Sequence, residues 1–392
     1  MKQLVFNNSS SYEKSSWKRV KLSDVAEEYS TRIENPSLSE YGFYIGSDCI
    51  GQYDFRIHKK ADASTITSTQ KGFKQGDYLL VRRSLYGSDF RERAPRADFD
   101  GVCSADILTI REKTGVVEDG FLIYVLYQKD FWDFIVSNST GGLTRRIKWK
   151  QLADYEFELP PLDIQKVIAN KLWSAYRLKE SNKHLLTATQ EMVKSRFIEM
   201  VGDPRSNPKG WKIKKLPDIA SYSIGLTYKP EQLCEDGTIV LRSGNIQEGE
   251  IDLQDLVRVN APIRDNLWVK EGDILMCSRN GSASLVGKVA QIKSIVEPMT
   301  YGAFMTIIRS EYSDYLYMYF QSGDFRDQIS SGKSSTMNQI TQKMLDKIEI
   351  PIPNQEVIST LSAILHQTDK SVFEIKKSIE AIDAVIKSLI NG

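Results

Sequence analysis

The sequence predicts an α+β chain that contains two tandem copies of one plan, in which a mixed α/β globular domain is followed by a long helix. Three observations predict it. Short sequence motifs recur in the same order about 193 to 198 positions apart. Two long segments have the apolar periodicity of helices, and short apolar runs between glycines, which predict strands, make up the rest. Each long helix needs a partner for its apolar stripe. We therefore expect the two helices to pair as a coiled coil.

The last segment of the chain, 354–392, predicts the clearest helix. Its apolar residues alternate at steps of four and three, the period of a coiled-coil seam, and lysines and glutamates lie between them. Asn354 is a suitable N-cap residue. The predicted seam consists of Leu361, Leu365, Val372, Ile375, Ile379, Ile382, Ile386 and Leu389, with a polar position at Thr368.

The partner helix is predicted within 161–202, upstream by about 193 positions. Its seam residues are Ile168, Leu172 and Leu186. Lys179 and Asn182 interrupt this seam where the second helix has Val372 and Ile375. Either these polar side chains form a layer that sets the register, or this face meets solvent or a different protein.

The repeat also predicts the domain boundaries. Words that recur include Trp17-Lys18 with Trp211-Lys212, Lys74 to Asp77 with Lys270 to Asp273, and Leu159-Pro160 with Ile352-Pro353. The predicted segments are an N-terminal extension at 1–16, a first globular domain at 17–160, a first long helix at 161–202, a Gly- and Pro-rich linker at 203–210, a second globular domain at 211–353, and a second long helix at 354–392.

Within each domain, apolar runs between glycines predict strands, and one helix precedes a polar loop. The predicted strands are Tyr41 to Ile45, Asp77 to Val81, Ile107 to Ile110 and Tyr155 to Leu159, then Ile239 to Arg242, Asp273 to Cys277, Phe304 to Ile308 and Ile348 to Ile352. The predicted helices are Gly120 to Ile135 and Tyr315 to Ile329.

Composition narrows the class of protein. The formal net charge is +1 and no apolar run has the length of a membrane span, so we expect a cytoplasmic protein without a membrane partner. The four cysteines are far apart and form no CxxC pair, which indicates reduced thiols and no metal site. Because the charge is balanced, any contact with nucleic acid has to come from local patches.

The motifs of common enzyme classes are missing. The segment around Lys333 ends like a phosphate-binding loop, but Asp327 stands where that motif needs its first glycine. Neither GxGxxG after a strand nor a GxSxG elbow is present, and the three histidines are far apart in sequence. We therefore expect no catalytic residue and no bound cofactor in this chain.

Polar loops at matching positions of the two domains are the candidate binding residues. Arginine can bind guanine through two hydrogen bonds, asparagine and glutamine can do so with adenine, and serine or threonine can hold phosphates. For any single residue a solvated surface role is the more common explanation, but recurrence with different residues favours recognition. The candidates are Arg82, Arg83, Ser84, Tyr86, Arg91, Arg93, Thr144, Arg145 and Arg146 in the first domain, and Arg279, Asn280, Ser282, Ser284, Lys288, Lys333, Ser335, Thr336, Asn338 and Gln339 in the second.

With these features the chain resembles the specificity subunit of type I restriction-modification systems, over nearly its whole length from Trp17. The resemblance rests on the two-copy layout, the Trp-Lys openings of both domains, the segment from Gly272 to Lys288, and the linker before Trp211. It implies two target recognition domains that each read half of a bipartite double-stranded DNA sequence, and an antiparallel helix pair that sets the half-site spacing.

The resemblance also implies the partners. Two methyltransferase subunits would dock on the helices and use S-adenosylmethionine, and restriction subunits would use ATP and magnesium. The alternative, from the residues alone, is a coiled-coil scaffold whose duplicated domains bind proteins.

Overall fold

The computed structural model describes residues 16–331 and 338–391, which divide into two units. The first unit contains the described residues up to His184 together with those from Lys377 onward, and the second contains Leu185–Lys376. Each unit therefore holds one globular domain and part of each long helix. None of the described helices is both long and apolar enough to span a bilayer.

The first globular domain mixes short strands with short helices. Its strands are β1 (Lys18–Lys21), β2 (Ala26–Glu28), β3 (Thr31–Ile33), β4 (Phe43–Ile45), β5 (Ala61–Asp62), β6 (Gln70–Phe73), β7 (Tyr78–Val81), β8 (Gly101–Cys103), β9 (Ile107–Glu112) and β10 (Glu156–Leu159). Its helices are α1 (Leu22–Val25), α2 (Leu122–Leu126), α3 (Lys129–Asn138) and α4 (Trp149–Leu152), and the long α5 (Leu162–Val201) follows. The sheet orders are β2–β9–β7, β3–β6–β8–β4–β5 and β1–β10.

The second globular domain repeats this plan. Its strands are β11 (Lys212–Lys215), β12 (Ser221–Ile224), β13 (Leu233–Leu241), β14 (Ile246–Gln247), β15 (Glu250–Ile251), β16 (Val257–Val259), β17 (Ile274–Cys277), β18 (Val289–Gln291), β19 (Met299–Tyr301), β20 (Met305–Arg309) and β21 (Glu349–Ile352). Its helices are α6 (Ser313–Tyr319), α7 (Gly323–Ser331) and α8 (Gln342–Leu345), and the long α9 (Gln355–Asn391) follows. The sheet orders are β12–β20–β17–β18, β16–β13–β19, β11–β21 and β14–β15.

The first and last strands of each domain pair with each other, which fixes where the long helix begins. β1 is antiparallel to β10 with Lys18 opposite Leu159, and β11 is antiparallel to β21 with Lys212 opposite Ile352. The predicted cap of the second helix is confirmed, because Asn354 Oδ1 accepts the N–H of Val357 at 3.0 Å.

The recurring Gly-Asp motif places a buried carboxylate at the same point in both domains. Asp77 accepts the backbone N–H of Lys74 at 2.8 Å and two hydrogen bonds from Arg111, at 2.7 and 2.9 Å. The preceding Gly76 has a φ of 95°, a conformation that favours glycine. Asp273 makes the same contacts with Lys270 and Arg309. This shared arrangement joins the turn before β7 or β17 to the strand that pairs with it.

The polar interruption of the first helix forms a layer between the helices. In the first unit, Lys179 Nζ lies 2.7 Å from Asp383 Oδ1, and Asn182 Nδ2 donates to Ser378 Oγ at 3.0 Å. A step forward along α5 is a step backward along α9, so the helices are antiparallel there. Of the two alternatives for these positions, the structure supports the register-setting layer.

Apolar seam residues are buried on both sides of this layer. In the first unit, Leu172 and Ile386 belong to the core of the globular domain, and in the second unit Leu361 and Phe197 share a core. Among the predicted seam residues, those that are buried are Ile168, Leu172, Leu361, Leu365, Thr368, Val372, Ile382 and Ile386, whereas Leu186, Ile375, Ile379 and Leu389 are half-buried. Each seam segment therefore packs against a globular domain as well as against the other helix.

A lysine on a long helix pairs with a carboxylate of the globular domain in both units. Lys376 of α9 hydrogen-bonds Glu250 in the second unit. In the first unit Lys183 of α5, the equivalent residue, lies 3.9 Å from Asp54. A second lysine, Lys293, lies 3.3 Å from Glu250. These ion pairs fix each domain against its helix.

This network predicts a pH effect on stability. Burial raises the pKa of Glu250, but Lys376 and Lys293 outweigh it and hold that pKa below its ordinary value. Stabilisation from such a group is present above the unfolded-state pKa and is lost as the pH falls through the folded-state pKa. We expect Glu250→Gln to be less stable than wild type at pH 7, and the difference in unfolding free energy to begin to shrink as the pH falls below about 4.3, the ordinary pKa of glutamate, and to be lost below the lowered pKa of the folded state.

Urea denaturation of both proteins at a series of pH values measures this difference. The neighbouring exposed carboxylate variant Glu248→Gln is the matched control and should show no such trend. A difference between wild type and Glu250→Gln that stays constant from pH 7 to pH 3.5 would contradict the assignment.

The fold class is confirmed, but several boundaries differ from the sequence prediction. The helix predicted at Gly120 to Ile135 is broken into α2 and α3, because the backbone between them is extended at Gln128, with a φ of −65° and a ψ of 144°. The helix predicted at Tyr315 to Ile329 is likewise divided into α6 and α7. Phe304, predicted within a strand, lies just before β20.

Candidate nucleic-acid interface

Two polar segments that are far apart in sequence meet at one surface of the first domain, here called loop face 1 (82–93 and 139–146). Arg83 and Arg146 form an isolated antiparallel bridge, and the backbone N–H of Ser84 donates to the carbonyl of Arg145 at 2.9 Å. Gly87 N–H donates to the carbonyl of Leu143 at 3.0 Å. The structure therefore brings together the two segments that the sequence marked separately.

An aspartate links the exposed arginines of loop face 1. Asp106 Oδ1 accepts a hydrogen bond from Arg146 Nε at 2.9 Å, and Asp106 Oδ2 accepts one from Arg83 Nη1 at 3.2 Å. Burial raises the pKa of Asp106, but hydrogen bonds from both arginines outweigh it and hold that pKa below the ordinary value. The two guanidinium groups are about half exposed, so they keep positive charge at the surface.

The second domain forms the equivalent loop face 2 (278–288 and 338–339). Arg279 and Gln339 form an isolated antiparallel bridge, and Ile340 N–H donates to the carbonyl of Ser278 at 2.7 Å. Asn338 Nδ2 donates to the carbonyl of Gly281 at 3.1 Å. Lys333, Ser335 and Thr336 of the sequence prediction lie outside the described residues.

An aromatic ring takes the place of the aspartate on loop face 2. The guanidinium carbon of Arg279 lies 5.1 Å from the centre of the Phe304 ring, within the range of a cation–π contact. Phe304 is 57% exposed and borders a cleft of about 590 Å³. Arg242 and Asp255 line the same cleft and form an ion pair at 3.4 Å. The cleft thus combines an aromatic side with a charged side.

Some predicted contact residues are used inside the protein. Ser84 is buried and its hydroxyl accepts the N–H of Arg145, and the buried Arg93 donates to the carbonyl of Ser47 at 3.0 Å. Burial and the neighbouring Arg91 lower the pKa of Arg93. We therefore reassign Ser84 and Arg93 from surface contacts to internal supports of loop face 1, because neither side chain reaches solvent.

Other predicted residues are divided between surface and support. Asn280 is half-buried, its Nδ2 donates to Ser243 Oγ at 3.0 Å, and its Oδ1 accepts the N–H of Ser282 at 3.0 Å. Lys288 Nζ donates to the carbonyl of Ile246 at 2.9 Å. The exposed members are Arg83, Tyr86, Arg91, Arg146, Arg279, Ser282 and Ser284, and the half-buried ones are Arg82, Thr144, Arg145, Asn280, Lys288, Asn338 and Gln339.

Sequence reasoning missed Asp106 and did not assign Phe304 to the interface. Both residues immediately precede the strands β9 and β20, and both lie five positions before the arginine that binds the buried aspartate. Alignment of the two copies at those arginines, Arg111 and Arg309, is the signal that would have shown that Asp106 and Phe304 are equivalent.

One group of possible metal ligands occurs among the described residues. Asp54, His58 and Glu180 each place a ligand atom within 4.8 Å of the others. The Lys183 ammonium lies 2.9 Å from Glu180, so a cationic side chain already neutralises these carboxylates. The expectation of no metal in this chain stays a prediction.

Comparison with known proteins gives a consistent result. A family described as the type I restriction modification DNA specificity domain matches the chain twice, at residues 14–188 and 208–383. The chain is similar to the type I restriction enzyme EcoKI specificity subunit of Escherichia coli (strain K12), with 31% identity over 193 residues, 46% of this chain and 40% of that protein. The matched part is therefore about two-fifths of that relative's length.

More distant relatives match over more of the chain. The type I restriction enzyme MjaVIII specificity subunit of Methanocaldococcus jannaschii is 24% identical over 314 residues, 74% of this chain and 73% of that protein. The crystal structure of a type I restriction-modification S subunit from M. genitalium matches 95% of both chains with a TM-score of 0.55 and 15% identity, which shows a shared fold. The two family matches together cover most of the chain, and the protein belongs to the type I restriction-modification DNA specificity family.

Proposed function

We propose that this chain is the non-catalytic DNA specificity subunit of a type I restriction-modification complex. Each loop face would read one half of a bipartite double-stranded DNA sequence, and the helix pair would set the spacing between the halves. The observation that carries the proposal is that loop faces 1 and 2 occupy equivalent positions but present different side chains. One scaffold with two different sets of base-contacting groups is what a two-part specificity requires.

The proposal assigns the chemistry to partner proteins. Two methyltransferase subunits would dock on this chain and use S-adenosylmethionine, and restriction subunits would use ATP and magnesium. Motifs for binding those cofactors are missing from this sequence, which supports the division. We also propose a cytoplasmic location, where the DNA substrate and the reduced thiols expected for the four cysteines are compatible.

The decisive experiment is reconstitution with the methyltransferase subunits, followed by single-molecule sequencing of methylated bases in exposed plasmid DNA. The expected result is methylation at one motif made of two defined halves and an undefined spacer of constant length. Methylation without a split motif would overturn the proposal.

Arg279 provides a residue-level prediction. An arginine that is bidentate to guanine contributes about 1–3 kcal/mol of discrimination, so Arg279→Ala should relax one half-site by this amount and leave the other unchanged. Competition binding with oligonucleotides that carry single base changes measures this effect. Arg264→Ala, which removes another exposed arginine of the second domain, is the matched control and should leave both half-sites intact. Equal loss at both half-sites would contradict the assignment.

Salt dependence distinguishes DNA recognition from the alternative of a protein-binding scaffold. The logarithm of the DNA association constant should fall linearly with the logarithm of the salt concentration, with a slope of about −0.9 for each phosphate neutralised. A predominantly apolar protein interface lacks this counterion release. A slope near zero in fluorescence anisotropy titrations of the complex with its methylated motif would favour the scaffold.

A further inference from the structure

One position that contacts each loop face differs in kind between the two domains. In the first domain it is Asp106, directly before β9, and in the second it is Phe304, directly before β20. The backbone carbonyl of each accepts an N–H from the neighbouring loop, from Arg82 to Asp106 at 3.0 Å and from the equivalent Ser278 to Phe304 at 2.9 Å. The position is therefore fixed by the same main-chain framework in both domains, and only its side chain differs.

In the first domain the residue at this position, Asp106, binds two arginines at the same time. Asp106 is 22% exposed and Arg83 and Arg146 are 44% and 48% exposed, so the carboxylate lies below two accessible guanidinium groups. The bond from Arg146 uses its Nε, which leaves its Nη1–Nη2 edge outside the contact with Asp106. That edge offers two parallel N–H donors of the kind that bind guanine O6 and N7.

In the second domain the same position holds one arginine through its ring. Gln339 stands where the first domain has Arg146, so the bridge partner of Arg279 is an amide and not a second cation. Phe304 contacts the guanidinium of Arg279 through its ring, at 5.1 Å from the guanidinium carbon to the ring centre. The two domains therefore orient their arginines by different physical means.

An arginine on a loop loses rotamer entropy when DNA fixes it, and a contact that fixes it beforehand reduces this loss. We propose that Asp106 and Phe304 are positioning residues for base recognition. Asp106 orients both Arg83 and Arg146 in the first domain, and Phe304 orients Arg279 in the second. This inference rests on the proposed function.

The test uses the reconstituted complex with its methyltransferase subunits and oligonucleotides that carry the motif found for wild type. Discrimination is measured as the ratio of affinities for the intact motif and for motifs with one base changed. Asp106→Ala should reduce discrimination about tenfold in one half-site only, and Phe304→Ala should do so in the other half-site only. Asp106→Asn, which keeps the shape and removes the charge, should follow Asp106→Ala.

Controls separate positioning from a structural role. Asp154→Ala removes another exposed, ion-paired carboxylate of the first domain, and Leu233→Ala truncates an apolar side chain of the second that is 50% exposed. Both should leave discrimination and melting temperature unchanged. Asp106→Ala should have no further effect on discrimination once Arg83 and Arg146 are both alanine, which a purely structural role would not predict.

Two results would overturn the inference. One is full discrimination in Asp106→Ala and Phe304→Ala, and the other is an equal loss in both half-sites for either variant. A wild-type complex that methylates without a split motif is a different outcome, because it removes the proposed function before any variant is compared.

Discussion

Replacing Asp273 by alanine is expected to lower the free energy of unfolding of the second unit by about 3–5 kcal/mol. The carboxylate is 2% exposed and accepts two hydrogen bonds from Arg309 and one from the backbone of Lys270. Its removal leaves a largely buried guanidinium without its counter-ion and leaves the Lys270 N–H without its acceptor. Both consequences act in the same direction, so the two losses add.

Urea denaturation combined with hydrogen exchange measured on peptides from 185–376 assigns the loss to the second unit. Asp265→Ala is the matched control, because this aspartate precedes the same turn but is exposed, and its effect should stay within about 0.5 kcal/mol. Asp77→Ala should reproduce the loss in the first unit, where the same contacts recur. A loss below about 1 kcal/mol for Asp273→Ala would show that the turn is held by its apolar neighbours instead.

Leu172→Ala is expected to destabilise the first unit by about 2–5 kcal/mol. This leucine of α5 is fully buried, in a core that also contains Phe121 of the globular domain and Ile386 of α9. The substitution removes apolar contacts and leaves a cavity between the domain and both helices. Because the same side chain contributes to the seam and to the domain core, the loss should appear in the hydrogen exchange of both elements.

The chain offers a close control on the same helix. Leu178 lies six residues further along α5 and is 54% exposed, so Leu178→Ala should change the unfolding free energy by less than about 0.5 kcal/mol. Similar losses for Leu172→Ala and Leu178→Ala would mean that helix propensity, and not packing against the domain, dominates at this end of α5.

The sequence predicted the long helices and the two-copy plan well because each leaves a periodic pattern in the sequence. The helices repeat their apolar residues at steps of three and four, and the domains repeat their motifs. Leu361, Leu365 and Val372 follow a period that only a helix with one buried face explains, and they are buried. The final strand of each domain was also predictable, since it lies between a polar loop and a proline. Signals of this kind depend on the spacing of residues along the chain, so a single sequence is enough to detect them.

The composition of the loop faces was only partly predictable. Segments 82–93 and 139–146 were identified, but Arg93 points inward and Asp106 comes from a third segment. An arginine that supports a loop from inside and one that faces solvent have the same local sequence signal, because burial is decided by residues distant in the chain. Phe304 was predicted as an ordinary strand residue for the same reason.

The polar layer between α5 and α9 makes their alignment discrete. If one helix slid along the other by a heptad, Lys179 would face Lys376 or Ile390 in place of Asp383, which means charge repulsion or a buried ammonium without a counter-ion. Intermediate slips would turn the apolar seam away from its partner. Within the first unit, the two helix segments therefore have one favoured alignment, and the next alignment that keeps the apolar seam together differs from it by a whole heptad.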